Sequence, residues 1–328
     1  MKESSIRPKK LLKEYINLCE KDALKFFKKK NTKISNCVAC NSSNLAIDFV
    51  KHGFQYMKCL NCGSLFLNPR PPLEEFDGFY RKSESAKYWS EIFLPAVSEQ
   101  RRNLIIKPKA KRIQDIIKKS KTKKISIIDV GAGYGTFLEE FKKLLPNSNL
   151  IAIEPSLSLA ERCRSKGIQV INSILEEVPD QFNEKGDIVV CFEVFEHVHS
   201  PLDFLKNMKR LCKKGGTLLI TSLSIDGFDL QLLRQNSNQI HPPHHINFFS
   251  KNGFLNIFQK LNLKEIKVST PGLLDVDIVR NYFSEKTNCR GLDPFLEKIV
   301  FDEVLSKKFQ DFLKDNNLSS HIWIQGKK

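Results

Sequence analysis

The stretch KISIIDVGAGYGTFLEEF, residues 124–141, changes character twice within eighteen residues. Residues 125–130 are mostly β-branched and apolar, which predicts a buried parallel strand. Gly131, Gly133 and Gly135 interrupt this strand, and the residues after them have the periodicity of a helix. A strand, a glycine-rich turn and a helix start form the place where a doubly wound α/β sheet binds a nucleotide-like ligand.

Two carboxylates accompany this turn. Asp129 stands two residues before the first glycine, and Glu154 ends the next apolar strand, NLIAIEP. The glycine spacing is G-x-G-x-G rather than the G-x-G-x-x-G of dinucleotide sites, and Asp129 would repel a pyrophosphate. Asp129 suits a cationic ligand such as S-adenosylmethionine (SAM), which carries a sulfonium and an ammonium group. Glu154 can accept hydrogen bonds from both ribose hydroxyls of that ligand.

With these residues, the chain resembles the class I SAM-dependent methyltransferases. Five further segments follow in the order of that family: QVINSILEEVP (169–179), DIVVCFEVFEHVHSPLDFL (187–205), LCKKGGTLLITSLS (211–224), LKEIKVST (263–270) and HIWIQGKK (321–328). The resemblance implies an α/β fold over residues 106–328, with a seven-stranded Rossmann-like sheet of strand order 3-2-1-4-5-7-6. It also implies a SAM site made of Asp129, Gly131, Gly133, Gly135, Glu154 and Glu193.

Four of the nine cysteines form two C-x-x-C pairs, Cys37 with Cys40 and Cys59 with Cys62. Eighteen residues separate the pairs, and the alternating sequence between them predicts a short hairpin. Four thiolates at this spacing can converge on one Zn²⁺ and leave no open coordination position. The sequence therefore predicts a structural zinc ribbon within an N-terminal module, residues 1–105, that also begins with a helical segment.

The segment CLNCGSLFLNPRPPLEEFDGFY, residues 59–80, resembles a narrower group of bacterial methyltransferases with an N-terminal zinc-binding module. Members of that group often modify sugars or other precursors in surface-polysaccharide and natural-product pathways. The resemblance implies a small, sugar-type acceptor that is methylated on oxygen or carbon. Arg70 and Arg81 are either phosphate ligands for a nucleotide-linked substrate or ordinary surface residues.

The segment HPPHHINFFS, residues 241–250, holds three of the seven histidines. It resembles the P-P-H-H segment of the zinc-containing sugar methyltransferases, which implies a role for His244 or His245 as the general base. Histidine can remove a proton at neutral pH because its unperturbed pKa lies near 6.5. A purely structural role remains open. A metal site would need further ligands, and adjacent histidines such as these two would point apart. Ser250 is a candidate N-cap for the next helix.

The net charge of +16 raises a second function, methylation of RNA through the zinc ribbon and the basic segments. Nearly all of the excess lies in residues 1–36 and 101–124, where lysine predominates. Solvated lysine-rich helices explain this pattern as well, and the residues after the fourth strand lack the Asp/Asn-Pro-Pro-aromatic tetrad of base-amino methylases. We therefore favour a small-molecule acceptor over a nucleic acid.

The chain has no apolar run of the roughly 18 to 20 residues that a membrane span needs. Its N-terminal residues, MKESSIRPKKLLKEY, also lack the apolar stretch of a signal peptide. Both features favour a cytoplasmic protein.

Overall fold

The computed structural model describes residues 1–28, 32–117, 124–285 and 291–328. The helices in these ranges are α1 (Lys9–Phe26), α2 (Leu73–Lys82), α3 (Glu84–Tyr88), α4 (Leu94–Arg101), α5 (Lys107–Ile117), α6 (Thr136–Leu144), α7 (Leu157–Ser165), α8 (Pro201–Leu211), α9 (Phe228–Leu233), α10 (Lys251–Lys260), α11 (Asp275–Ser284), α12 (Pro294–Phe301) and α13 (Glu303–Asp315). The strands are β1 (Leu45–Lys51), β2 (Phe54–Cys59), β3 (Leu65–Leu67), β4 (Ser126–Val130), β5 (Asn149–Ile153), β6 (Gln169–Ile171), β7 (Gly186–Phe192), β8 (Cys212–Leu223), β9 (Asn247–Phe248), β10 (Lys264–Ser269) and β11 (His321–Lys327).

Seven strands form one sheet in the order β10-β11-β8-β7-β4-β5-β6. If only these seven strands are numbered along the chain, and the sheet is read from β6 to β10, the order is 3-2-1-4-5-7-6. The predicted α/β methyltransferase sheet is therefore confirmed. The central strand β4 pairs in parallel with β5 and with β7. Every residue of β4 is buried, as expected for a strand covered on both faces.

The parallel register aligns the ends of three neighbouring strands. Val130, the last residue of β4, pairs with Ile153 of β5 on one side and with Cys191 of β7 on the other. The chain therefore leaves all three strands at the same edge of the sheet. Side chains that follow these strands are brought together there, although they are far apart in sequence.

A second sheet has four strands in the order β1-β2-β3-β9. Strands β1 and β2 form the antiparallel hairpin predicted between the two cysteine pairs. Strand β9 lies within HPPHHINFFS and pairs with β3, with Leu65 opposite Phe248. This pairing fixes the histidine segment to the N-terminal part of the chain, which the sequence alone does not indicate.

The chain divides into two compact units, and both are discontinuous in sequence. The first unit contains Met1–Val97, Ser222–Phe254 and Val268–Trp323, and the second contains Ser98–Thr221, Leu255–Lys267 and Ile324–Lys328. The sequence pattern predicts instead a single division of the chain, after residue 105. A single boundary does not describe the later segments that belong to the first unit. Short elements such as β9 pair with strands far away in sequence, and local sequence patterns do not show such pairing.

The described part of the segment 271–318 contains the helices α11, α12 and α13. Residues 286–290 of this segment lie outside the described residues. Apolar side chains of α11 to α13, among them Val279 and Val300, form a buried cluster with Leu233. None of the helices in the described part of the chain combines the length and apolarity that crossing a bilayer requires.

Candidate active site and metal centre

The glycine turn after β4 uses its three glycines for different purposes. All three have positive φ angles, +74° at Gly131, +55° at Gly133 and +65° at Gly135, which other residues rarely adopt. A Cβ on Gly135 would lie 2.8 Å from the sulfur of Cys163 and 2.9 Å from Ile168, so this glycine permits close packing. A Cβ on Gly133 would meet no heavy atom within 4 Å. The backbone at Gly133 is therefore open to a ligand.

Asp129 lies in β4 with 2% of its surface exposed. Among the described residues, its Oδ1 atom is buried and has no hydrogen-bond partner. The pKa of Asp129 is raised to about 7, mainly by burial; Lys109 opposes this shift and the charge of Glu154 adds to it. This carboxyl group is held where a cation supplied from outside the chain would stabilise its ionised form.

Glu154 directly follows β5 and connects the two loops at this edge. Its Oε2 atom accepts a hydrogen bond of 2.8 Å from the backbone N–H of Gly133, and its Oε1 atom accepts one of 2.9 Å from that of Ser156. Burial raises the pKa of Glu154, and the two N–H groups oppose this. Each carboxylate oxygen keeps a further lone pair for a ligand hydroxyl.

Glu193 directly follows β7 and has a φ of +54°, a strained value for a residue other than glycine. Two contacts hold it in place. Its N–H donates to the carbonyl of Thr221 at 3.1 Å, and its Oε1 atom accepts from the Thr221 hydroxyl at 2.6 Å. Strained residues held by neighbours in this way are common at binding sites.

Lys109 is a member of this site that the sequence analysis missed. Its Nζ atom lies 3.5 Å from Glu193 Oε1, 3.5 Å from Thr221 Oγ1 and 4.3 Å from the centre of the Phe192 ring. Only 6% of its surface is exposed, and burial lowers its pKa although Glu193 opposes the shift. The interpretation of residues 101–124 as a solvated lysine-rich helix is therefore wrong for Lys109. The sequence holds no signal that separates it from its basic neighbours.

The four paired cysteines converge in the first unit. Cys37, Cys40, Cys59 and Cys62 place their sulfur atoms within 4.8 Å of one another. Sulfur atoms of one pair lie close to those of the other, at 3.6 Å between Cys37 and Cys62 and 3.5 Å between Cys40 and Cys59. This donor set of four thiols is the one expected for a tetrahedral structural metal site.

Both C-x-x-C pairs have the same backbone geometry. The residue after each pair has a positive φ, +68° at Asn41 and +81° at Gly63. Each of these residues donates its N–H to the carbonyl of the first cysteine of its pair, at 2.9 Å and 2.8 Å. Glycine adopts a left-handed conformation readily, and asparagine is one of the few other residues enriched in it.

The two adjacent histidines occupy different environments in the first unit. His244 is 5% exposed and packs against Phe79 and Tyr80. His245 is half-buried, and its Nδ1 atom lies 2.5 Å from the carbonyl oxygen of Gln239. Because a carbonyl only accepts, Nδ1 carries the proton, and the lone pair of neutral His245 is on Nε2.

Two other polar residues near this segment act structurally. Ser250 caps α10, since its hydroxyl accepts a hydrogen bond of 2.9 Å from the N–H of Gly253. Arg70 is 1% exposed and donates to the side chain of Asn247. Neither explanation given for Arg70, a phosphate ligand or a surface residue, fits this burial. Arg81 is exposed and pairs with Asp77 at 2.7 Å.

The α/β sheet and the family comparison together define the class of protein, a SAM-dependent methyltransferase. A family model described as a methyltransferase domain matches residues 98–268. This match covers more than half of the chain, and the chain belongs to that family.

Relatives with curated names match parts of the chain. The ubiquinone biosynthesis O-methyltransferase of Xanthomonas campestris is 30% identical over 106 residues, which are 30% of this chain and 43% of that enzyme. An uncharacterized protein of Methanocaldococcus jannaschii is 24% identical over 152 residues, 46% of this chain and 71% of that protein. The chain thus spans less than half of the length of the ubiquinone enzymes that it matches.

A solved structure also resembles the chain. A SAM-dependent methyltransferase from Thermotoga maritima, described as a possible histamine N-methyltransferase, has 20% identity and a TM-score of 0.45. The match covers 73% of this chain and 99% of that one.

Replacing Asp129 by asparagine should stabilise the protein without ligand in a pH-dependent manner. The pKa of Asp129 is about 7 in the folded protein and 3.8 ordinarily, so the folded state binds more protons between these values. The ionised carboxylate therefore costs stability, and this cost grows from about pH 4 to about pH 7 and then levels off. The melting temperature of Asp129→Asn should exceed that of the wild type increasingly over this range.

Asp203→Asn is the matched control, because its exposed carboxylate has a pKa lowered by Lys206 and Ser200. Its effect should be small and of opposite sign. A melting-temperature difference for Asp129→Asn that does not change with pH would contradict the assigned pKa.

Proposed function

We propose that the protein transfers the methyl group of SAM to oxygen or carbon of a small, sugar-type acceptor. The buried Oδ1 atom of Asp129, without a hydrogen-bond partner in the described residues, is the observation that carries this proposal. A pyrophosphate would be repelled by this carboxylate, whereas a cationic cofactor supplies the charge that it needs. The proposed cofactor residues are Asp129, Gly131, Gly133, Gly135, Glu154 and Glu193.

The residues at this edge fit the chemical groups of SAM. The open backbone at Gly133 admits a ligand, and the free lone pairs of Glu154 suit two ribose hydroxyls. The carboxylate of Glu193 lies 3.5 Å from Lys109 Nζ and can receive an ammonium group. SAM, when bound, supplies a methyl group on a positively charged sulfur. The residues of the chain hold it in place, which is the main contribution of a protein to an in-line displacement.

We propose His245, rather than His244, as the general base. The hydrogen bond from its Nδ1 to Gln239 fixes the proton on that nitrogen, so Nε2 is the nitrogen that can accept a proton. The half-buried position of His245 also supports this role, whereas His244 is enclosed by aromatic rings. A hydroxyl, or a carbon next to a carbonyl, needs such a base, because it must lose a proton when it is methylated.

The sugar-type acceptor is proposed from a sequence resemblance and from the names of relatives. The resemblance of residues 59–80 to zinc-containing sugar methyltransferases supports a sugar, and the ubiquinone relatives are named as O-methyltransferases. RNA is the competing acceptor, and its binding would depend steeply on salt.

We also propose that Cys37, Cys40, Cys59 and Cys62 hold one structural Zn²⁺. The convergence of their sulfur atoms and the matching turns at Asn41 and Gly63 support this assignment. With four thiolate ligands the ion would keep no position for substrate. Its role would be to stabilise the small sheet, because Cys37 and Cys40 precede β1 while Cys59 and Cys62 lie at the end of β2 and just after it.

Replacing Glu154 by alanine should weaken SAM binding by roughly 10- to 100-fold, the expected loss for charge-assisted hydrogen bonds. Isothermal titration calorimetry measures this effect, and circular dichroism checks that the variant is folded. Glu161→Ala, on the exposed face of α7, is the control and should bind SAM as the wild type does. Unchanged affinity in Glu154→Ala would remove Glu154 from the cofactor site.

Transfer of labelled methyl groups from SAM should occur to nucleotide-linked sugars and not to RNA. Both acceptor classes are assayed at low and high salt. If RNA were labelled, and the labelling fell steeply as the salt concentration rose, the acceptor would be RNA and the proposal of a sugar-type acceptor would be wrong.

Replacing His245 by asparagine should lower turnover by roughly 100- to 10,000-fold and leave SAM affinity unchanged. His244→Asn should lower turnover much less and reduce the melting temperature, because it disturbs a buried aromatic cluster. The ¹⁵N chemical shifts of His245 in the wild type should show a protonated Nδ1. Equal turnover of His245→Asn and the wild type would reject the assignment of the base.

Replacing Cys59 by serine should remove one equivalent of zinc and lower the melting temperature. Metal analysis by mass spectrometry measures the loss. Cys212→Ala, at a buried cysteine outside the cluster, is the control and should keep its zinc. Equal zinc content in Cys59→Ser and the wild type would refute the ribbon.

A further inference from the structure

A second group of metal-ligand side chains lies in the first unit, apart from the four paired cysteines. Cys19 on α1 meets His241 and His244, and one ligand atom of each lies within 4.8 Å of the others. Their exposed fractions are 0%, 5% and 5%, so the whole group is buried. The sequence alone indicates no further ligands beside these histidines and therefore disfavours a metal there. The structure supplies Cys19, which is more than 200 residues away in the chain.

The three side chains have matching chemistry. A thiolate and two imidazoles are the ligands that Zn²⁺ and similar borderline metal ions prefer. His241 and His244 are three residues apart, and their rings are almost parallel, at 13° with centroids 5.6 Å apart. No carboxylate belongs to this group of three, so a hard ion such as Ca²⁺ or Mg²⁺ is not suited to it.

Tyr15 offers a fourth donor at the same place. Its hydroxyl oxygen lies 3.4 Å from Nε2 of His244, and its ring packs 5.7 Å from that of His241. Tyr15 and Cys19 are four residues apart on α1 and therefore lie on the same face of that helix. One face of α1 thus presents sulfur and oxygen to the two imidazoles.

An aromatic shell surrounds the group. The ring centroid of Tyr15 lies 4.8 Å from that of Trp89, which stacks on Phe93 at 4.4 Å. The ring of Phe79 meets His244 edge to face at 4.5 Å. Such an apolar shell limits the access of water and strengthens the attraction between an ion and its ligands.

We propose that Cys19, His241 and His244 form a second Zn²⁺ site, with the hydroxyl of Tyr15 or a water as the fourth ligand. Its residues are all distinct from those of the ribbon. The ion would fasten α1 to the segment HPPHHINFFS. It would also engage one nitrogen of His244, so that His245 is the histidine left for proton transfer. A neutral hydrogen-bonded cluster of the same side chains is the competing explanation and is an outcome of the test.

Metal analysis of the full chain, reconstituted with zinc under reducing conditions, tests the proposal. The wild type should hold about two zinc ions, one for each set of four ligands. Cys19→Ser and His241→Asn should each lose about one and keep the other. Cys163→Ser, at a buried cysteine outside both groups, should keep both. A zinc content of Cys19→Ser and His241→Asn equal to that of the wild type would overturn the second site in favour of the neutral cluster.

X-ray absorption of the wild type gives a second measurement that needs no variant. Two sites of the proposed kind give an average of about 2.5 sulfur and 1.5 nitrogen or oxygen ligands for each zinc, whereas the ribbon alone gives four sulfurs. A spectrum with sulfur ligands only would therefore overturn the proposal, even if Cys19→Ser failed to fold. Loss of the ribbon in Cys59→Ser should leave a zinc with mainly nitrogen and oxygen ligands.

Discussion

The parallel pairing of β4 with β5 and β7 is the constraint on which the candidate cofactor site depends. In a parallel sheet the carboxyl ends of neighbouring strands meet at one edge. Val130 pairs with both Ile153 and Cys191, so Glu154 and Glu193 leave the sheet beside the glycine turn. A slip of one residue in either ladder would turn the side chains of that strand to the other face.

This arrangement concentrates charge where water is scarce. Asp129 and Lys109 are both nearly fully buried. Burial raises the pKa of Asp129 and lowers that of Lys109, and both shifts favour the neutral form of the side chain. Opposite charges offset part of the cost, because Lys109 lowers the pKa of Asp129 and Glu193 raises that of Lys109. The free-energy cost that remains, that of a buried ionised carboxylate, is one that a bound cationic ligand would offset. A site of this type therefore lowers the stability of the ligand-free protein and raises its affinity for the ligand.

Local sequence patterns were sufficient for the glycine turn and the cysteine hairpin, because each depends on residues close together in sequence. The seven-stranded sheet and its strand order followed instead from the family resemblance, since strand pairing joins residues far apart in sequence. Long-range contacts were not predictable. The burial of Lys109 and Arg70 depends on distant partners, and neither residue has a local signal that separates it from exposed basic neighbours. The meeting of Cys19 with His241 is a contact of the same kind. The histidine segment resembles known methyltransferases, but only its hydrogen bonds distinguish His244 from His245.

The discontinuity of the two units constrains the order in which the chain can complete its structure during synthesis. Residues of β3 are made early, but their partner strand β9 follows about 180 residues later. At a translation rate of roughly 5 to 20 residues per second, the edge of β3 stays unpaired for about 10 seconds or longer before β9 has been synthesised. An exposed strand edge can pair with other chains, so β3 of the newly made chain is exposed to incorrect pairing until β9 emerges.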